Sequence, residues 1–260
     1  MSNQEIPGLP TFAYETMDRG DGVRLAFARQ PGYGPTFVWL SGFRSDMGGS
    51  KAEALADWTK RSGRGFLRLD YSGHGWSEGA FEDGVISRWR DDALAVIDAQ
   101  SEGPLVLIGS SMGGWIALLL AKARPERVHG LILIAPAPDF TLDMWEELPP
   151  EARAQIEAQG RWDMPSEYGP EPTPITKALI EDGKRNLVLD KPVPFAGPVR
   201  ILQGMQDPDV PWRHALRVTE ALESADVAVT LVKDGDHRLS RPQDIERLLA
   251  TAAAFPSPAS

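Results

Sequence analysis

The chain has 260 residues, 42% of them hydrophobic, a formal net charge of −10 at pH 7 and no cysteine. This length suits a single α/β domain, and the acidic balance argues against nucleic acid or an anionic membrane surface as partner. The lack of cysteine excludes disulfides, thiolate metal sites and a cysteine nucleophile.

The first ten residues have neither the basic start and apolar core of a signal peptide nor an arginine-rich amphipathic leader. We therefore expect a cytoplasmic protein. No apolar run approaches the roughly 20 residues that a membrane-spanning helix needs, so no membrane association is expected.

The first half of the chain alternates between predicted strands and helices. Thr11–Met17 and Val23–Gln30 are predicted to form a hairpin around the turn residues 18–22. Two strand–helix units follow, at Thr36–Ser41 with Ser50–Arg61 and at Gly65–Asp70 with Val85–Ala99. This alternation predicts an α/β fold with a mainly parallel sheet and helices on both faces.

The third strand–helix unit contains the motif around which the chain is organised. An apolar strand ends at Ile108, a buried helix runs from Trp115 towards Pro125, and residues 109–113 between them match G-x-S-x-G. Such a turn needs glycines on both sides because the central residue is strained, and it presents Ser111 as a nucleophile. The alternative is a structural Gly/Ser turn, which the flanking strand and helix disfavour.

The alternation stops after the fourth predicted strand, Val128–Ala135. Residues 136–198 contain eleven prolines and helical patterns at Glu151–Gln159 and Ile175–Asp182. A stretch of this length is typical of a lid. We predict a cap at 136–198 inserted between core segments 1–135 and 199–260.

Apolar side chains of the predicted cap could line a substrate cavity or only hold the cap on the core. They are Phe140, Leu142, Met144, Trp145, Leu148, Trp162 and Met164. Leu142, Met144 and Trp145 are our candidate substrate contacts.

Regular structure resumes with predicted strands Val199–Gln203 and Ala225–Val232 and a closing helix at Gln243–Ala254. The loop after the first strand contains Asp207, and the loop after the second contains His237. Open α/β sheets bind ligands at the carboxyl ends of their strands, where both loops would lie.

A serine nucleophile requires a base, and the base requires an orienting carboxylate. His129 starts a strand, His214 lies in the first turn of a helix, and His74 is interpreted mainly as a loop-ordering residue, with a smaller chance of touching substrate. His237 is the remaining and best candidate for the base.

Asp207 is preferred to Asp209 as the acid because Pro208 restricts the turn directly after Asp207, whereas Asp209 resembles a cap of the next helix. Asp234 and Asp236 flank His237 too closely to face its ring. The resulting order, Ser111, Asp207, His237, is the order associated with α/β hydrolases.

Two backbone N–H groups are predicted to form the oxyanion hole, those of Met112 after the nucleophile and Phe43 in the loop after Ser41. The neighbouring Arg44 could attract an anionic group of the substrate. We favour the other interpretation, a surface ion pair with Asp46 or another acid.

Three blocks together resemble a known family. They are residues 109–115, the D-Y-S-G-H-G-W-S loop at 70–77, and G-F-R-S-D-M at 42–47 followed by Lys51 and Ala52. The chain resembles an α/β-hydrolase over about residues 36–254. Its block at 42–52 is similar to that of the subgroup with the mitochondrial palmitoyl-protein thioesterase and acyl-glucuronide esterase. Ser41 departs from the pattern, since many members have histidine before the oxyanion glycine.

The expected function is that of a serine hydrolase that cleaves carboxylic esters or thioesters through an acyl-enzyme, without metal or organic cofactor. Its expected partner is a small-molecule ester or thioester, with an acylated protein as a further candidate. A serine peptidase or amidase on the same fold, and a non-catalytic ligand-binding or interaction module, are the alternatives. Serine at the elbow disfavours dehalogenase and epoxide-hydrolase chemistry, which uses aspartate there.

Overall fold

The computed structural model describes residues 12–165 and 172–255. The predicted start of the hairpin at Thr11 and part of the predicted cap lie outside these residues. The strands in the described part are β1 (Glu15–Asp18), β2 (Arg24–Gln30), β3 (Tyr33–Leu40), β4 (Arg64–Leu69), β5 (Leu105–Ser110), β6 (Val128–Ile134), β7 (Arg161–Met164), β8 (Thr173–Thr176), β9 (Val199–Gly204) and β10 (Val227–Val232).

Eight of these strands form one sheet with the order β1-β2-β4-β3-β5-β6-β9-β10. β2 is antiparallel to β1 and to β4, and every other pairing in this sheet is parallel. The parallel strands β3, β4, β5, β6, β9 and β10 therefore end at the same edge. The predicted site loops follow four of them, β3, β5, β9 and β10.

Helices connect the parallel strands, and a single 3₁₀ turn at Phe81–Asp83 precedes the second helix. The helices are α1 (Ser50–Ser62), α2 (Ile86–Gln100), α3 (Met112–Ala123), α4 (Phe140–Glu147), α5 (Pro150–Gln159), α6 (Lys177–Arg185), α7 (Trp212–Ala221) and α8 (Pro242–Ala253). Among the described helices, none is both long and apolar enough to cross a bilayer.

Consecutive residues of a strand point to opposite faces of the sheet, and helices cover both faces, so apolar side chains are buried on each. On β5, Leu105 and Leu107 pack in one apolar cluster with residues of α2, α3 and α7. Val106 and Ile108 pack in a second cluster with residues of α1 and α8. The predicted parallel sheet with helices on both faces is confirmed.

Residues 136–198 are less regular than the rest, and here the predicted elements differ most from the structure. α4 was not predicted, since Pro136 and Pro138 made the sequence before it look like loop. The predicted helix at Ile175–Asp182 starts two residues later, because Ile175 and Thr176 belong to β8, which pairs antiparallel with β7. β-branched residues at 173, 175 and 176 favour that strand.

An apolar cluster of their own holds these elements together. It consists of Leu148, Ala152, Ile156, Ile175 and Ile180. Asp139 joins the beginning of the segment to its end by accepting hydrogen bonds from Val188 N and Leu189 N at 3.0 and 2.9 Å. The division of the chain into a core and a cap at residues 136 and 198 stays a prediction.

Candidate active site

Ser111 lies at the turn from β5 into α3 with φ 55° and ψ −119°, a conformation that residues other than glycine rarely adopt. The neighbouring glycines make this turn possible. A Cβ atom on Gly109 would lie 2.2 Å from Gly113 O, and one on Gly113 would lie 2.0 Å from Leu40 O. The strand and helix can therefore approach closely enough to place the Ser111 hydroxyl at the apex of the turn.

His237 links Ser111 to Asp207. Its Nε2 lies 3.2 Å from Ser111 Oγ, and its Nδ1 lies 2.9 Å from Asp207 Oδ2. Both distances are within hydrogen-bonding range. An Nδ1–H that donates to the carboxylate leaves Nε2 to accept the serine proton. The structure thus brings together the three residues predicted from the sequence, whose catalytic roles stay a prediction.

The Asp207 carboxylate is fully buried and has hydrogen-bond partners at both oxygens. Oδ1 accepts from Asp209 N and Val210 N at 2.9 and 2.8 Å. Oδ2 accepts from Gln203 Nε2 at 3.1 Å, in addition to His237. The carboxylate is therefore held rigidly towards the imidazole.

Asp209, the alternative acid, is exposed. Asp209 does not cap the next helix as expected, since α7 begins at Trp212 and its N-cap is Pro211. The ligand atoms of Asp207, Asp209 and His237 lie within 4.8 Å of one another, a spacing that could surround a cation. Because the Asp207 oxygens already accept hydrogen bonds from the protein, the arrangement is satisfied without one.

The loop that carries His237 is held by a residue to which the sequence analysis gave no role. The partly buried Lys51 of α1 donates hydrogen bonds from Nζ to Arg238 O and, at 3.2 Å, to Ser240 Oγ. Burial lowers the pKa of Lys51 to about 8. The pattern of α1 gave no sign of this contact, since a lysine in the first turn of an amphipathic helix usually faces solvent.

The two N–H groups predicted to form the oxyanion hole belong to the first turn of α3 and to the loop after β3. Met112 is the first residue of α3, so its N–H has no acceptor within the helix. Phe43 lies in a turn closed by Ser45 N donating to Gly42 O at 3.1 Å. In the described part of the chain the Phe43 N–H donates to no protein acceptor. The assignment of these N–H groups to an oxyanion stays a prediction.

The loop after β4, residues 70–77, packs against the loop after β3. Asp70 is fully buried and accepts hydrogen bonds from Met47 N at 2.7 Å and Trp76 N at 2.9 Å. Burial raises the pKa of Asp70 to about 7, although both N–H donors act in the opposite direction. His74 is buried and has hydrogen-bonding partners in both loops, which agrees with its interpretation as a loop-ordering histidine.

Arg44 has φ 54°, and its guanidinium donates hydrogen bonds to Pro172 O at 2.7 Å and Thr173 Oγ1 at 3.0 Å. It therefore ties the loop after β3 to β8, a contact that neither sequence interpretation included. Its guanidinium also lies 5.6 Å from the Phe81 ring centre. A role in attracting an anionic substrate stays a prediction.

The three apolar candidates for substrate contacts lie on α4. Met144 and Trp145 pack against the apolar cluster of the 136–198 segment, and Phe43 packs against the same cluster. The centre of the Trp145 ring also lies 5.6 Å from Lys184 Nζ. Leu142 is partly buried in the first turn of α4. Contact of any of these side chains with substrate stays a prediction.

The two remaining histidines contact other parts of the chain. His214 is buried in α7, with Nε2 3.0 Å from Pro138 O, and burial lowers its pKa. His129 lies in β6 near the opposite edge of the sheet, with its ring 6.3 Å from that of Phe255.

Known proteins resemble this chain in sequence and in fold. A family model described as "Serine aminopeptidase, S33" matches residues 36–162. The mouse protein named palmitoyl-protein thioesterase ABHD10, mitochondrial, is 40% identical over 236 residues, which cover 90% of this chain and 80% of that protein.

Two solved structures are similar over nearly their whole length. A protein from Agrobacterium vitis S4 assigned as a hydrolase has a TM-score of 0.88 and 47% identity, covering 94% of this chain and 99% of its own. The mouse α/β hydrolase domain-containing protein 10 has a TM-score of 0.86 and 38% identity, with 93% and 97% covered.

These relatives correct one expectation and confirm another. The prediction of a cytoplasmic protein is wrong by this comparison, because the curated relatives are named mitochondrial. That prediction relied on the pattern of the first ten residues alone. The predicted family is confirmed: the chain belongs to the α/β hydrolases and, among them, to the family of the ABHD10 thioesterases.

Proposed function

We propose that this hydrolase cleaves carboxylic esters and thioesters through an acyl-enzyme on Ser111. The observation that supports this most directly is the chain of hydrogen bonds from Ser111 Oγ through His237 to the buried Asp207 carboxylate. Such a chain is the arrangement that a serine needs to act as a nucleophile near neutral pH.

In the proposed reaction, Ser111 Oγ attacks the acyl carbon while His237 Nε2 takes the hydroxyl proton. The N–H groups of Phe43 and Met112 bind the oxyanion that forms. His237 then gives its proton to the leaving alkoxide or thiolate, and the acyl group stays on Ser111. A water molecule, deprotonated by His237, releases the acid and restores the serine. Asp207 orients His237 throughout and stabilises its charged form.

The acyl side of the substrate is proposed to be apolar. The centre of the Phe43 ring lies 5.0 Å from that of Phe81 and 5.5 Å from that of Phe140. Apolar side chains therefore surround Phe43, whose N–H is proposed to bind the oxyanion. Met144 and Trp145 extend this apolar surface into the segment at 136–198. Together with the name of the mouse relative, these residues support a fatty-acyl thioester, including one on an acylated protein, as substrate.

The test compares Ser111→Ala with the wild type on oxygen esters, thioesters, acyl glucuronides and aminoacyl amides. We expect the variant to lose at least about a thousandfold in kcat on esters and thioesters, since the nucleophile is gone. Asp207→Asn should lose about as much, whereas its neighbour Asp209→Asn should stay within about twofold. Turnover that survives in Ser111→Ala contradicts the proposal.

Amide hydrolysis is a second candidate because the matching family model is described as a serine aminopeptidase. The same triad serves both reactions, and the leaving amine only needs a proton from His237. A kcat/KM for aminoacyl amides that equals or exceeds the value for thioesters would replace the first proposal by this one. A wild type that turns over none of the four classes would instead favour a binding module.

A further inference from the structure

Three side chains of the loop after β4 bind the backbone of the loop that contains Phe43. Tyr71 Oη donates to Ser41 O at 3.3 Å, Arg44 N donates to His74 Nε2 at 3.3 Å, and Met47 N donates to Asp70 Oδ1 at 2.7 Å. The anchored backbone groups lie before and after Gly42 and Phe43. The turn with the predicted oxyanion donor is thus held from both ends by one other loop.

His74 provides the contact nearest to Phe43. Its Nδ1 lies 3.3 Å from Ser72 O, an acceptor, so the ring proton is on Nδ1 and the Nε2 lone pair is free to accept from Arg44 N. The rings of Tyr71, Phe81 and Trp89 surround the imidazole, with centres 5.5, 5.1 and 5.0 Å away.

This environment keeps His74 neutral. Burial lowers its pKa to about 4, and the nearby charge of Arg44 acts in the same direction. A protonated ring would direct an N–H at the N–H of Arg44, so only the neutral form can make the contact. His74 can therefore keep this hydrogen bond through neutral pH, unlike an exposed histidine.

Arg44 requires such an anchor because its φ of 54° is unfavourable for a residue with a side chain. Residues in this region keep their conformation only where the surroundings hold them. The Arg44 N–H belongs to the peptide group directly after Phe43. A relaxed Arg44 would rotate that peptide and thereby disturb the turn that contains the Phe43 N–H.

The glycines beside His74 explain how its ring reaches this position. Gly73 and Gly75 have φ of 73° and 48°. A Cβ on Gly73 would lie 2.7 Å from the Phe81 backbone, and one on Gly75 would lie 2.1 Å from Asp70 Oδ2. The G-H-G sequence thus permits two tightly packed turns on either side of an inward-pointing imidazole.

We propose that His74 is a positioning residue for the oxyanion hole, which holds the Phe43 N–H towards Ser111 by binding the N–H of Arg44. The proposal rests on the proposed function above, because it assumes that Phe43 N–H binds an oxyanion. It assigns a role in the reaction to a histidine outside the Ser111–His237–Asp207 set.

A matched pair of amide variants tests this role. The amide oxygen of His74→Gln can reach the position of Nε2, whereas the shorter His74→Asn reaches only that of Nδ1 and leaves Arg44 N without its acceptor. We expect His74→Asn to lose about 10- to 100-fold in kcat on a short-chain ester with KM within about threefold, and His74→Gln to recover most of the loss. The affinity for a trifluoromethyl ketone, which forms an oxyanion on Ser111, should fall in parallel with kcat/KM.

His74→Phe keeps the aromatic packing without an acceptor and serves as a second deletion should a buried amide prevent folding. It should resemble His74→Asn. His214→Phe, another buried histidine, should lower thermal stability but keep kcat within about twofold. Equal kcat values and equal ketone affinities in wild type and His74 variants that fold would overturn the positioning role alone. A wild type that neither turns over esters nor binds the ketone would overturn the proposed function and the positioning role together.

Discussion

The turn around Ser111 and the segment at 136–198 are held in place by different kinds of contact. At the turn, two glycines and a strained serine within five residues determine the geometry, and the atoms that forbid a side chain are mostly backbone atoms of Gly113 and Leu40. In the segment, single side chains hold distant pieces of chain, such as Asp139 at residues 188 and 189.

This difference predicts where each region can tolerate change. Backbone contacts at the turn cannot move without displacing β3 or α3, so a substitution there affects the whole fold. The anchors of the 136–198 segment are side chains, and removal of one should loosen that segment locally. The sequence of the 136–198 segment can thus vary while Ser111 keeps its position.

The largest effect is expected for Gly113→Ala, which breaks the turn. Its Cβ would lie 2.0 Å from Leu40 O, so we expect a loss of more than about 4 kcal/mol in the free energy of unfolding, or no folded protein. Gly103→Ala is the control, because no atom lies within 4 Å of its Cβ, although its φ of 70° adds a backbone strain that Gly113 in α3 lacks. It should cost only about 1 kcal/mol in urea unfolding. Similar losses for both variants would show that steric contact is unimportant at the turn.

A smaller and local effect is expected for Asp139→Ala. The buried N–H of Val188 and the partly buried N–H of Leu189 would lose their acceptor, at a cost of about 2–3 kcal/mol. Hydrogen exchange should accelerate in α4 and α6 but not in β5. The exposed Asp163, changed to Ala, should stay within about 0.5 kcal/mol of the wild type. Faster exchange spread evenly over the sheet would contradict the local role of Asp139.

The next effect concerns the pH dependence of stability. The pKa of His74 is lowered to about 4 in the folded protein, whereas an unfolded histidine titrates near 6.5. Between these values the unfolded chain binds more protons, so stability is complete above about pH 6.5 and falls as the pH decreases towards 4. At pH 5 the loss should be about 2 kcal/mol relative to pH 7.5.

This loss should be missing from the pH dependence of His74→Phe, measured by urea unfolding at both pH values. The variant can be less stable throughout, since the comparison concerns only the change with pH. An identical decrease in the wild type and the variant would assign the pH dependence to other groups.

The smallest effect is expected for Lys51→Met. Loss of the hydrogen bonds to Arg238 O and Ser240 Oγ should loosen the loop of His237 and lower kcat by about fivefold, with little change in KM. Lys60→Met, at an exposed position of the same helix, is the matched control and should keep its kcat. An equal kcat for both variants would show that Lys51 does not support the loop.

The parts of the site that could be predicted from the sequence depend on local pattern and on topology. The G-x-S-x-G match located Ser111. Because parallel strands end at the same edge of a sheet, the loops after β9 and β10 could be predicted to place Asp207 and His237 near it. The segment at 136–198 was predicted less well. Its prolines obscured α4, and the pairing of β7 with β8 depends on a hairpin whose strands lie nine residues or more apart.

Contacts between distant loops gave no sequence signal. His74 and Arg44 are 30 positions apart, and Lys51 and Arg238 are 187 positions apart. A histidine in a glycine-rich loop and a lysine on an amphipathic helix are each compatible with a solvent-exposed position. Only the packing of one loop on another shows which backbone group each side chain binds.

The most direct test of the central claim is to trap the acyl-enzyme. Wild-type protein is mixed with an excess of an activated fatty-acyl ester or thioester, quenched in acid within the first turnover, digested and analysed by mass spectrometry. We predict that the peptide containing Ser111 gains the mass of the acyl group and that Ser111→Ala gains none. Turnover of the same substrate by the wild type without acylated Ser111, or equal acylation of the Ser111→Ala variant, would contradict the account.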